Sequence, residues 1–198
     1  MDSEQYQRFQ DTLPGETQRR DVFGIPVIIC QNVYTTLILC GFHEHPIKRV
    51  RFMSNNIVAK TGAIEDAIWH RNCRKVGLPL TEIICVLEDE QQTLVLETRF
   101  VKLPIFILHY VGKEPIDELL KKMIDKFIFS IEISRLLSYD LWGKNRCREH
   151  IGVEMNAEGY PRLVMTDPGY TFDADYIYHY LERVKFHLNE YVEELLML

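Results

Sequence analysis

Two short segments of the chain mirror each other: His70-Arg-Asn-Cys73 and Cys147-Arg-Glu-His150. Imidazole nitrogen and thiolate sulfur are ligands that a tetrahedral zinc prefers, and a gap of two residues lets both side chains of a pair reach one ion. Each pair lies beside an expected element boundary. Taken together, His70, Cys73, Cys147 and His150 make a four-ligand zinc site. Taken separately they are ordinary surface or core residues, because five cysteines and seven histidines produce such spacings by chance. No motif points to any other cofactor.

His43 and His45 flank Glu44, and on a strand their side chains point the same way, as holding a metal or a proton requires. The plainer reading is a polar turn. Lys48, Arg49 and Arg51 with Arg71, Arg74 and Lys75 form one basic patch if a short helix packs beside the strand, with Phe52 and Trp69 as stacking partners for bases. A formal net charge of −6 works against nucleic acid. A charged strand edge that blocks pairing with other chains is therefore favoured.

Linear catalytic signals are thin. The chain has no Gly-x-Ser-x-Gly, no Gly-rich phosphate loop and no His-Glu-x-x-His. That inclines the reading away from an enzyme without closing it, since catalytic constellations are recognised by geometry. Tyr160, Tyr170, Phe172, Tyr176, Tyr178 and Tyr180 form an aromatic-rich stretch suited to an interface or to sealing a helix onto a sheet.

The elements that must position these groups end in a long helix. From Asp173 to Leu198 the residues Ile177, Leu181, Val184, Leu188, Tyr191, Leu195 and Leu198 recur at helical spacing, broadened by Tyr180 and Val192. Asp173 is its expected N-cap. The seam is expected to be internal, and Phe186 falls on the opposite side. Tyr176, Tyr178, Phe186, Leu196 and Met197 make the expected partner-binding surface.

Upstream, Met1–Asp21 is Gln-rich and broken by Pro14-Gly15, and it reads as a flexible polar tail before one domain spanning 22–198. Ile25–Phe42 carries no charge, but Gln31, Asn32, Thr35 and Thr36 and its marginal length make buried strands a better reading than a membrane span. Lys48–Met53 reads as an edge strand and Thr61–Arg74 as a short helix. Thr81–Phe100 is a hairpin, and Leu103–Val111 reads as a central strand. A helix starts at Pro115. Its apolar period turns ambiguous after Phe127, and it is read as running on to Leu141 because no breaker precedes Gly143. A second hairpin spans Cys147–Thr166, closed by Asp167-Pro168-Gly169. The fold class is α+β, a mostly antiparallel sheet of hairpins with two long helices packed on one face.

Leu37-Ile38-Leu39 followed by His45-Pro46, the hairpin from Ile83 to Phe100 and the helix from Pro115 to Leu141 come in the order of a HORMA domain. The stretch from Ile38 to Leu141 resembles that family. The long C-terminal helix departs from it, because the family ends in extended strands. The resemblance implies an adaptor that captures peptides.

With 46% apolar and 26% charged residues the chain is globular in composition. The odd, scattered cysteines and the lack of a signal peptide imply a reducing compartment, cytoplasm or nucleus. The first functional expectation is a non-enzymatic interaction subunit or adaptor of an intracellular complex, bound to a protein partner or a second copy. The second is a zinc-stabilised or basic-patch nucleic-acid-binding protein, and the third an enzyme whose site has no linear motif.

Overall fold

The hairpin legible between Thr81 and Phe100 lies inside the largest sheet. The computed structural model describes residues 4–15, 17–45, 50–138, 141, 143–156, 159–169, 171–173 and 177–197. Where the sequence predicts one domain from residue 22, the contacts divide into two compact units, Met1–Arg71 with Glu82–Arg99 and Asn72–Thr81 with Phe100–Leu198.

The first unit runs α1 (Glu4–Gln10), β1 (Gln18–Val22), β2 (Ile25–Ile29), α2 (Val33–Leu39), β3 (His43–Glu44), β4 (Val50–Met53), β5 (Ile57–Thr61), α3 (Ile64–Lys75, which passes into the second unit after Arg71), β6 (Ile83–Glu88) and β7 (Thr93–Thr98). Its strands form a seven-stranded sheet in the order β1-β2-β6-β7-β5-β4-β3. Every pair is antiparallel except β2 with β6. Alternation gives the sheet two apolar faces. Cys85, Leu87, Leu94 and Leu96 join Phe9, Val33 and Leu37 in one core, while Val86 and Val95 join Ala67 of α3 in the other.

Three expectations change here. The polar tail instead supplies α1, whose Tyr6 and Phe9 are buried, and β1, which pairs with β2. Two apolar residues in one turn are too short a pattern to announce a helix. Val33–Leu39 is a helix rather than a strand: the Asn32 side chain accepts the Thr35 N–H at 2.8 Å, and Val33, Thr36 and Leu37 bury one face. Local capping and an i, i+3, i+4 face outweigh the β-branched composition. The strand read as an edge, β4, has β3 outside it. At the β6–β7 turn Asp89 Oδ2 accepts the Val33 N–H at 2.7 Å, and its other oxygen accepts those of Gln91 and Gln92. Burial raises the Asp89 pKa, but these three donors outweigh it and hold the carboxyl below its ordinary range.

The second unit runs β8 (Val101–Lys102), α4 (Leu103–His109), α5 (Ile116–Ser134), β9 (Leu136–Ser138), α6 (Lys144–His150), β10 (Ile151–Met155), β11 (Pro161–Met165), β12 (Thr171–Asp173) and α7 (Ile177–Leu196). A sheet β11-β10-β8 and a two-stranded pair β12-β9 complete it. The long helices α5 and α7 lie together, with α5 against β11. Ile177, Tyr180, Leu181, Val184, Leu188, Tyr191 and Val192 are buried, so the seam is internal to this unit. Burying one such leucine contributes ~1.5–3 kcal/mol. The α+β class and its mostly antiparallel sheet are as the sequence predicts.

The departures in this unit have local causes. Leu103–Val111 is helical through His109, with proline in the first turn and only Leu103 fully buried. An aperiodic apolar run does not distinguish strand from helix. Helix α5 stops at Ser134 instead of reaching Leu141, because Arg135 takes a left-handed conformation at φ 54°. Asp173 belongs to β12, so it does not cap α7. Of the segments that suggest a HORMA domain, the hairpin β6–β7 lies in the first unit and α5 in the second. Among the described residues no helix is long and apolar enough to cross a membrane.

Candidate functional site

The expected zinc ligands do not assemble. Cys73 and Cys147 are 2% and 0% exposed and belong to the apolar core of the second unit. Burial pushes the Cys147 thiol up to about 12, against the opposing pull of backbone groups at Gly143 and Cys147 itself. His70 and His150 are buried as well. Among the described residues no three His, Cys, Asp or Glu side chains are grouped so as to hold a metal ion. None of the five cysteines forms a disulfide.

Two of the basic set, Arg71 and Arg74, donate to the protein's own backbone. In the first unit Arg71 donates to the Gly24 carbonyl, Arg51 is exposed on β4, and Phe52 is buried edge-on to Tyr34 at 5.4 Å. In the second, Arg74 Nη1 donates to the Leu80 carbonyl at 3.4 Å and Lys75 is exposed. Lys48 and Arg49 lie outside the described residues. His43 and Glu44 form the exposed strand β3. Tyr178, Phe186 and Leu196 on α7 and Met197 just past its end are all exposed, as expected of an outer face. Tyr176 is outside the described residues.

A different constellation emerges in the second unit, around the end of β9. Strand β12 pairs with β9 so that Thr171 faces Ser138 and Asp173 faces Leu136. Just before β12 the chain turns at Asp167-Pro168-Gly169, where Asp167 Oδ1 accepts the Gly169 N–H at 2.9 Å. The buried Ser138 hydroxyl donates to the Pro168 carbonyl at 2.8 Å. From α7 the Tyr180 hydroxyl donates to the Ser138 carbonyl at 2.6 Å and accepts the Ser138 N–H at 3.1 Å. A strand, a turn and a helix are thus tied through one buried serine.

Beyond β9 the chain is anchored again. The Gly143 N–H donates to the Leu141 carbonyl, and the Cys147 N–H to the Gly143 carbonyl, both at 2.9 Å. Helix α6 follows, with Asn145 exposed in its first turn. Arg148 of α6 lies over the Tyr191 ring at 5.2 Å and forms an ion pair with Glu194, so α7 holds this segment too. Asn145 and Asp167 both offer hard oxygen donors, the ligand type Mg2+ takes when phosphate oxygens and water complete its shell. In sequence Asp140 stands two residues after Ser138 and five before Asn145, and it is outside the described residues.

In the first unit Ile57-Val58-Ala59-Lys60 lies on β5 and leads directly into α3. Lys60 Nζ forms an ion pair with Glu97 of β7, whose side chain is 1% exposed. In the sequence Asp167 reads only as part of a turn, and Lys60, Asp140 and Asn145 stand out in no reading of single residues. Their signal was an Asp-x-x-x-x-Asn spacing, then a hairpin, then Asp-x-Gly, with a Val-Ala-Lys strand upstream. Read singly, each is a loop, a turn or a strand. No protein-family profile and no curated protein sequence matches the chain.

Proposed function

We propose that the chain is a phosphotransferase built on a protein-kinase-like plan, binding a nucleoside triphosphate with Mg2+ and passing a phosphoryl group to a hydroxyl. Protein kinases combine a strand lysine of the Val-Ala-Ile-Lys type followed by a helix, a catalytic loop with Asp-x-x-x-x-Asn, and an Asp-Phe-Gly turn. This chain resembles that set in Val58-Ala59-Lys60 before α3, in Asp140…Asn145 and in Asp167-Pro168-Gly169. In those roles Asp140 accepts the proton of the attacking hydroxyl. Asn145 and Asp167 would hold Mg2+. Mg2+ itself neutralises charge that develops on the transferring group.

The observation that carries the reading is the 2.8 Å hydrogen bond from Ser138 to the Pro168 carbonyl. It joins the strand that leads into Asp140 to the turn that begins at Asp167. Calorimetry with Mg2+ and ATP tests it. The wild-type chain should bind, and Asp167→Ala and Asn145→Ala should each weaken Mg2+-dependent binding by ~10-fold or more, the scale of a lost charged contact. A wild-type chain that binds no nucleotide with Mg2+ or Mn2+ ends this reading.

The second reading is a non-enzymatic interaction subunit or adaptor of a complex in the cytoplasm or nucleus, where five free thiols are at home. Two observations favour it. The chain departs from the kinase set: no glycine stands between Phe42 and Val50, Ser138-Tyr139 replaces His-Arg before Asp140, and proline replaces phenylalanine at 168. Phe186 is also 59% exposed on the outer face of α7. Binding of a protein partner or second copy through Tyr178, Phe186 and Met197, with no nucleotide bound, is the outcome that selects it.

A further inference from the structure

We propose that Tyr180 is a positioning residue for the Mg2+-binding turn at 167–169, its hydroxyl setting the backbone of Ser138, whose side chain holds that turn. The proposal rests on the phosphoryl-transfer reading and adds a residue that touches neither substrate nor metal in it.

Tyr180 is 2% exposed, and its ring belongs to the apolar core that α7 shares with α5. Sealing that core needs only the ring, and phenylalanine would serve. The hydroxyl has a more specific place. It reaches past the core to the last residue of β9 and takes both main-chain groups of Ser138. With these two engaged, the Ser138 side chain is left to bond the Pro168 carbonyl. The result is a chain of buried hydrogen bonds, Tyr180 to Ser138 to Pro168, in which each link fixes the geometry of the next.

A two-stranded pair such as β9–β12, with only three residues to a strand, is weak on its own. Orientation of the groups that follow it must therefore come from elsewhere. Helix α7, twenty residues long and buried along one side, is the rigid element at hand. A ligand shell completed by phosphate tolerates little misplacement of its protein donors, because Mg2+ demands near-octahedral geometry.

The test uses the full chain with Tyr180→Phe, which keeps the ring and removes only the hydroxyl. Backbone hydrogen exchange should quicken at 136–138 and 166–169, while the α5–α7 core stays protected. Affinity for ATP should fall roughly 3- to 10-fold in Mg2+, the range of one or two lost hydrogen bonds, and stay unchanged in EDTA. Ser138→Ala, which removes the hydroxyl that bonds Pro168, should give the same split. Leu188→Ala serves as the control, since it lowers stability from within the same helix without touching the 167–169 turn, and its Mg2+-dependent affinity should match the wild type.

If Tyr180→Phe binds Mg·ATP as well as the wild type, or if Leu188→Ala loses affinity equally, the positioning role is overturned while the phosphoryl-transfer reading stands. If the wild type itself binds no Mg·ATP, that reading fails and this one with it.

Discussion

Lys60 and Glu97 meet diagonally across β5 and β7, on the face of the large sheet that α3 covers. The register sets Lys60 opposite Val95, two residues from Glu97, and Val95 packs with Ala67 of α3. The lysine side chain is 17% exposed and the carboxylate 1%. A pair so sheltered is not held for net stability, because desolvation offsets most of the attraction. Breaking it strands a charge. Glu97→Gln should cost ~3–5 kcal/mol, and Lys60→Met a similar amount. The double variant should recover much of the loss. Urea titrations on the three variants check this, and additive losses would show that the two groups do not act as a pair.

A second prediction concerns pH and Cys147. Its thiol is pushed by burial to about 12, from an ordinary 9.0. Because the folded value is raised, the native state keeps a proton that the unfolded chain releases. The contribution to stability is complete below about 9, falls as the pH rises toward 12, and is gone above it. Cys147→Ala should flatten the decline of melting temperature across that window. At pH 8 the native thiol should resist iodoacetamide and react only in denaturant. Rapid labelling of native Cys147 would contradict the burial.

Phe186 offers a third. Its ring is stacked edge-on to its neighbour His187 at 5.6 Å and otherwise faces outward. Phe186→Asp should shift stability by less than ~0.5 kcal/mol, as surface changes do. Sedimentation velocity should show weaker association, whether with a partner or a second copy. A lower melting temperature with unchanged association would place the ring in the core.

What was legible in the sequence was periodic. Both hairpins, the short helix α3, the start of α5 at Pro115 and the buried seam of α7 each declare themselves over several residues. What was not legible depends on single contacts between distant residues. Asn32 caps α2 inside a β-branched run, and Ser138 reaches thirty positions ahead to Pro168. The histidine and cysteine spacing suggested zinc because local spacing cannot reveal burial, and two of those thiols fill the core. Asp140, Asn145 and Asp167 lie on either side of a hairpin. As a set they carry meaning only once β9 and the 167–169 turn are seen to be bonded.

The end of α5 yields the last prediction. Nothing in the residues from Phe127 to Leu141 breaks a helix, yet the helix stops at Arg135, whose φ is 54°. Its N–H bonds back to the carbonyls of Ile131 and Glu132, and the Ser134 hydroxyl accepts the Leu136 N–H at 3.2 Å. A left-handed residue with a side chain costs roughly 1–2 kcal/mol. Glycine escapes that cost but loses more entropy on folding. Arg135→Gly should therefore stabilise the chain by about 0.5–1 kcal/mol and leave the turn in place. Arg135→Val, branched at Cβ, should destabilise it by ~1 kcal/mol or more, because such residues scarcely tolerate positive φ. Thermal melts of the pair decide the matter. Should valine match or exceed arginine, the helix would have to continue past Ser134, and β9 with its hold on Pro168 could not form as described.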